Sequence, residues 1–317
     1  MCVLHLRVIV MKENTMNSEV MYYYTDYNTF KLILANGTLR FKESTSSNDK
    51  LDTVQLYDYL LKMAEEKLKE TNLIPEQKFY FDMLKHNGAK SNRISLVACF
   101  TSKADSRLLW DAYTMHRKDR SAERYNGVCI EINKTQLWNA MKKSGSFFDV
   151  KKCDKIVYGF EKINPLLERM LKTFSSEVET LSKDEDQTQN IIAPIPIPFT
   201  KKELVLKKSI VFPMLHLVEN FDTVAPYFKH SFWREECETR ALLSVKKGSA
   251  NVERIPAYDD GSRYFDLPIS LDCISKVILG PELSKFELDE LNTIGGKIPF
   301  SNLLTVPSNG TNIITNR

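Results

Sequence analysis

Strand-length apolar runs and helical stripes alternate along this chain without a regular βαβ rhythm, and no other feature limits its fold as sharply. A doubly wound sheet needs that rhythm, because each parallel strand must be followed by a crossover helix. Residues 94–100, Ile-Ser-Leu-Val-Ala-Cys-Phe, are an apolar run of strand length bounded by polar Asn92 and Thr101. Residues 127–132 read as a second buried strand, and 20–25, Val-Met-Tyr-Tyr-Tyr-Thr, as an aromatic one. Further strands are expected at 38–41, 236–245 and 275–279. Helices are expected at 29–35, 51–68, 75–86, 107–113, 134–143, 165–181, 203–217 and 282–291. Asn36-Gly37 stops the first helix, and Ser46-Ser47-Asn48-Asp49 is a polar turn suited to cap the next. The class that accommodates this mixture is α+β.

The boundaries follow from changes in character. Residues 1–19 are an N-terminal extension, whose first ten residues suit an edge strand and fall short of the roughly 20 a membrane span needs. Residues 20–306 read as a single domain carrying a surface insertion at 182–202, where an acidic stretch gives way to Ile-Ala-Pro-Ile-Pro-Ile-Pro. Residues 307–317 are polar and expected to be a mobile tail. A cytoplasmic protein with no membrane partner is expected.

Chemistry by composition is narrow. A net charge of +3 gives no argument for nucleic acid, and the run of Arg117, Lys118, Arg120 and Arg124 is partly offset by Asp119 and Glu123. The six cysteines form no CxxC pair and the five histidines lack ligand spacing, so reduced thiols and no metal site are expected. No glycine-rich phosphate loop is present.

The segment Glu236-Cys237-Glu238-Thr239-Arg240 is the most informative. Strand alternation puts Glu236, Glu238 and Arg240 on one face and Cys237, Thr239 and Ala241 on the other. With the second set toward the core, the charged trio faces a cleft or solvent. Two carboxylates about 7 Å apart beside a guanidinium can bind a cation, orient a sugar hydroxyl, stabilise developing positive charge or move a proton. The alternative is a charged surface strand paired with its neighbours. Trp110 and Tyr113 share a helix face, and they and Trp233 either wall a pocket or pack in the core.

Together these segments resemble a bacterial domain-of-unknown-function family. The residues that carry the resemblance are Met21-Tyr22-Tyr23-Tyr24-Thr25, Asn48-Asp49, Cys99-Phe100-Thr101, Trp110 to Tyr113, Gly127-Val128-Cys129-Ile130-Glu131 and Trp233 to Arg240, in order. Tyr23 stands where many members have histidine and Glu235 where tyrosine is usual, and the 115–126 loop is longer. More distantly the layout resembles the ADP-ribosyltransferase superfamily. That resemblance implies a mixed, mainly antiparallel split sheet flanked by helices, and NAD as a substrate. It implies Glu238 as the catalytic carboxylate with Glu236 assisting, and Tyr23 or Tyr24, Thr101, Trp110 and Arg240 around NAD, Arg240 meeting phosphate. The target would be nucleic acid or protein, in a toxin or phage-defence setting.

Two other functions fit the same residues. One is a non-catalytic binding or antitoxin-like module that uses the same cleft. The other is a metal-dependent nuclease built on Asp49, Glu236 and Glu238. It ranks last because no histidine or lysine is placed by sequence to accompany the acids.

Overall fold

A computed structural model describes residues 20–44, 51–69, 93–114, 127–144, 147–182, 190–193, 204–280, 287, 289–291, 293 and 312–314. Its strands are β1 (Val20–Thr25), β2 (Thr38–Glu43), β3 (Arg93–Thr101), β4 (Val128–Asn133), β5 (Val150–Lys155), β6 (Val157–Tyr158) and β7 (Asn190–Ala193). They continue with β8 (Leu204–Lys207), β9 (Phe228–Lys229), β10 (Glu238–Lys246), β11 (Tyr264–Pro268), β12 (Ile274–Leu279) and β13 (Asn312–Ile314). The helices are α1 (Tyr27–Asn36), α2 (Leu51–Lys69), α3 (Arg107–Tyr113), α4 (Lys134–Lys143), α5 (Asn164–Ser182) and α6 (Lys208–Val224).

Nine of the described strands form one sheet in the order β11-β2-β3-β1-β4-β12-β13, with β10 and β5 branching from β3. Every pairing in it is antiparallel. The long strand β3 makes the branch. One of its edges carries β10 from Thr101↔Glu238 to Arg93↔Lys246. The other is shared end to end, with β1 opposite Thr101 and β2 opposite Val97 and Leu96. The fold is therefore α+β around a mainly antiparallel sheet that splits at β3.

Both faces of the sheet are covered, which is why its central strands are apolar at odd and even positions alike. On one face Ala98, Phe100, Ala241 and Leu243 pack with α1 and α4. On the other, Val97 and Leu242 join α2, α5 and α6, while Tyr24, Cys129 and Ile278 sit under Leu109 and Trp110 of α3. The second face thus has two separate apolar patches, and the ends of β1, β3 and β10 run into the seam between them.

Local signals set the element ends. Asp26 accepts from the Thr29 amide at 2.9 Å, so α1 starts at Tyr27, earlier than its apolar residues alone suggest. Gly37, at φ 60°, ends it by donating to the Ile33 carbonyl. Asn133 caps α4 in the same way as Asp26 caps α1. The helix expected at 203–217 is displaced. Leu204–Lys207 pair with Asn190–Ala193 as a small hairpin, and α6 begins only at Lys208. The rest of the proline-rich segment lies outside the described residues, as do residues 1–19, Asn48-Asp49, and the helix expected at 75–86. In the tail expected to be mobile, Asn312–Ile314 pair with β12 as an edge strand. No described helix is long and apolar enough to cross a membrane.

Gly127, at the start of β4, shows how tightly the α3 end packs on β1. A Cβ there would overlap the Thr114 side chain and lie 2.5 Å from the Thr25 carbonyl oxygen. Relief would require backbone movement, so Gly127→Ala is expected to lower unfolding free energy by about 1–3 kcal/mol, read from urea denaturation midpoints.

Candidate functional site

Strand β10 does not begin where alternation places it. Ser231–Glu236 form a 3-10 helix, Cys237 takes a left-handed conformation at φ 47°, and the strand starts at Glu238. Glu236 is therefore not a strand neighbour of Glu238. The bend at Cys237 nevertheless returns its side chain to the face that carries Glu238 and Arg240. All three are buried, at 7%, 5% and 6% exposure, which corrects the expectation of a charged face toward cleft or solvent.

What makes that burial tolerable is Lys229, itself only 4% exposed. Its Nζ donates to Glu236 Oε2 at 2.8 Å and lies 3.4 Å from Glu238 Oε2. Arg240 grips Glu238 from the other side, with Nε to Oε1 at 2.6 Å and Nη2 to Oε2 at 3.3 Å, and Nη1 donates to the Pro226 carbonyl. Among the described residues, two carboxylates and two cations thus meet in one buried cluster. Burial pushes the Glu238 carboxyl up. Arg240, Lys229 and hydrogen bonds from Arg240 and Cys99 outweigh it, so the group sits below the usual carboxylate range.

Short elements deliver these groups. Strands β6 and β9 pair in parallel, setting Tyr158 opposite Lys229. The Tyr158 hydroxyl then accepts the Glu238 amide N–H at 2.7 Å, and the Ile156 amide donates to the Glu238 carbonyl. Thr101, directly opposite Glu238, donates to the Glu236 carbonyl at 2.7 Å. Trp233 lies against Lys229, with Nζ 5.0 Å from its ring centroid, and Phe232 beside it is 75% exposed. Tyr113 comes into the field of Glu236, Cys99 and Glu238; burial first, and then these groups, hold its phenol protonated.

The expected site residues therefore fall into three groups. Glu238, Glu236, Arg240 and Thr101 meet in one cluster, and register puts Tyr22, not the expected Tyr23 or Tyr24, in line with Thr101 and Glu238 across β1, β3 and β10. Tyr24 and Trp110 stack edge to face at 5.1 Å in the core under α3. They fasten the loop beside the cluster: the Tyr24 hydroxyl donates to the Lys103 carbonyl and accepts the Ser106 amide, and Trp110 Nε1 donates to Asp105 at 2.7 Å. Tyr23 points to the opposite face, against Phe100, and does not join the others. Lys229, contrary to the expectation that no lysine accompanies the acids, is at the centre. Its signal in the sequence is faint, since it is separated from Glu238 by a 3-10 helix whose path no periodicity predicts.

Asp49, the third acid of the nuclease reading, lies outside the described residues. Among the described residues no group of three or more His, Cys, Asp and Glu side chains is placed to hold a metal ion. The described cysteines, Cys99, Cys129, Cys153, Cys237 and Cys273, are free thiols.

A family model described as a protein of unknown function, DUF2971, matches residues 109–241. The matched span runs from α3 into β10, so it contains Tyr113, Tyr158, Lys229, Glu236, Glu238 and Arg240 and leaves out β1 and Thr101. Neither a curated protein nor a solved structure matches the chain.

Removing one partner from a buried charge cluster leaves an uncompensated charge, so Lys229→Met should cost about 3–5 kcal/mol in chemical denaturation. The lowered Glu238 carboxyl also gives a pH signature. A carboxyl depressed in the folded state adds stability above its unfolded pKa of about 4.3, and that stability is lost as pH falls through the folded value. The stability gap between the wild type and Glu238→Gln should therefore be widest near neutrality and narrow below about pH 4.

Proposed function

We propose that this chain is an ADP-ribosyltransferase-like enzyme that takes NAD as substrate and modifies a nucleic acid or a protein, with Glu238 as its catalytic carboxylate. The observation that carries the reading is a carboxylate kept ionised while buried, at the strand end where Tyr22, Thr101 and Glu238 align. Glycosyl transfer passes through an oxocarbenium-like centre, and a fixed negative charge in a water-poor site stabilises it most. Glu238 is held by Arg240 and Lys229 before any ligand arrives, so little reorganisation is needed as charge develops. Glu236 Oε1 has no partner among the described residues and is the group available to take a proton from the attacking acceptor.

The other residues then act by support. Thr101 fixes the backbone of Glu236, and Tyr24 and Trp110 brace the 103–106 loop from below. Arg240 is committed to Glu238 and Pro226, so we assign it to holding the carboxylate instead of phosphate. The rings of Tyr113, Phe232 and Trp233 offer stacking surface for the nicotinamide and adenine ends of NAD. An activity of this kind suits a toxin or phage-defence effector.

A second reading keeps the cluster and its aromatic neighbours without the chemistry. Both oxygens of Glu238 are already engaged within the chain, which favours a module that recognises a partner through Trp233 and its surroundings.

The two separate cleanly. Incubation with labelled NAD and nucleic acid or cell lysate should give label transfer and NAD loss, both reduced about 10²–10³-fold by Glu238→Gln. An absence of NAD loss, transfer and calorimetric NAD binding would sink the enzyme reading. Cellular effects that survive Glu238→Gln and vanish with Trp233→Ala would establish the binding module.

A further inference from the structure

Beside the acid cluster lies a row of aromatic rings that the proposed chemistry does not use. Tyr59 of α2 meets Phe160, with ring centroids 5.9 Å apart at 42°, and Phe160 meets His230 at 5.9 Å and 79°. Neither contact is a face-to-face stack, so the rings are not spent on one another. The Tyr59 hydroxyl is fixed by donating to Asn164 Oδ1 at 2.9 Å, and His230 Nδ1 by accepting the Phe232 amide at 3.2 Å. Tyr59 and Phe160 are half-buried, and His230 is exposed. The row thus runs from the helical layer to the N-cap of the 3-10 helix that carries Trp233 and Glu236.

Two short helices beside these rings each supply an exposed cation. Lys162 lies two residues beyond Phe160 in the 3-10 helix Phe160–Ile163, and Arg234 lies in Ser231–Glu236, which His230 caps. Neither cation has an ion pair among the described residues. The acids next to them are engaged elsewhere. Glu235 is paired with Lys103 at 3.1 Å, and the Glu161 carboxylate lies against Gly159, where a Cβ would come within 2.2 Å of it. On α2, Asp58 and Lys62 are both exposed and offset each other.

Rings set among uncommitted cations match a chain that presents a flat face and an anion at every residue. We infer that this row binds a single-stranded nucleic acid, with bases against Tyr59, Phe160 and His230 and phosphates near Lys162 and Arg234. A duplex hides its base faces in its own stack, and a polypeptide offers flat faces only at scattered aromatic side chains. Resting on the transferase reading, the row holds the acceptor strand beside Glu238, which selects nucleic acid over protein as the target.

The test is fluorescence anisotropy of the full chain, without NAD, against labelled DNA and RNA oligonucleotides, each single-stranded and as a duplex. Single strands of at least one kind should bind about tenfold more tightly than the duplex of the same sequence. Phe160→Leu keeps an apolar side chain and removes the ring, and should weaken single-strand binding about tenfold, within the range of one base–aromatic stack. Lys162→Gln with Arg234→Gln should flatten the slope of log affinity against log salt by about 1.4, from two phosphate contacts at about 0.7 each. Both of these positions are exposed, so this variant provides the answer where Phe160→Leu does not fold. Equal affinity for single strands and duplex, an unchanged salt slope, unchanged affinity in folded Phe160→Leu, or no binding to any oligonucleotide overturns the inference. NAD-dependent labelling of a lysate protein would then still uphold the transferase reading. Single-strand binding that responds to the variants, without NAD turnover, upholds the inference and overturns that reading.

Discussion

The contact between the Lys229 ammonium and the two carboxylates, Glu236 and Glu238, is the interaction on which this part of the molecule depends. Four charged groups have been taken out of water, each at a desolvation cost of several kcal/mol. Their mutual attraction offsets that cost only with all four present and closely placed. Elements that have little in common otherwise are thereby coupled. The pair β6 and β9 supplies Lys229 and Tyr158, the 3-10 helix supplies Glu236, and β10 supplies Glu238 and Arg240. The Pro226 carbonyl, on the segment that follows α6, accepts from Arg240 Nη1 and ties the helical layer to the sheet.

The position of that cluster is in turn a matter of register. Along the second face β10 runs Glu238, Arg240, Leu242 and Ser244, polar at both ends and apolar between. Opposite it β3 presents Thr101, Cys99, Val97 and Ser95. At the far end Arg93 donates to Ser244 and Asp149, forming a second polar anchor. A one-residue slip of β10 would turn Glu238 and Arg240 toward the apolar layer under α1 and α4 and put Leu243 among charges. Polar anchors at each end with a packed centre leave one pairing that satisfies every group.

These constraints decide which parts of the cluster are legible in the sequence. Period-two alternation is a property of the strand itself, so the grouping of Glu238 with Arg240 could be read directly. The apolar runs of β3 and β4 were legible for the same reason. Alternation assigns Glu236 to the same face along a path the backbone does not follow, since Cys237 breaks the strand and a left-handed turn restores the side chain to the same cluster. Lys229 was out of reach, because its approach depends on a two-residue parallel pairing with Val157-Tyr158, too short to leave a pattern. On α3, Trp110 and Tyr113 differ by about 60° around the helix axis. That is enough for one to enter the core and the other to reach the acids at the boundary, a division that needs the tertiary packing to decide.

Cys237 shows how the cluster and the backbone constrain each other. A non-glycine residue at φ 47° costs about 1–2 kcal/mol relative to the right-handed region. An extended residue there would carry Glu236 on along the β10 axis, away from Lys229. The turn is held on both sides, by the Cys237 amide donating to Arg234 and the Ser102 amide donating to the Cys237 carbonyl. Thr101 adds a third tie through the Glu236 carbonyl. Because an unpaired buried carboxylate costs more than the bend, the electrostatics of Lys229 dominate and the backbone accommodates them. The 3-10 helix that ends at this bend also carries Trp233 against Lys229 and Phe232 against Trp233, so the same short segment supplies both an acid and the aromatic neighbour of its counter-charge.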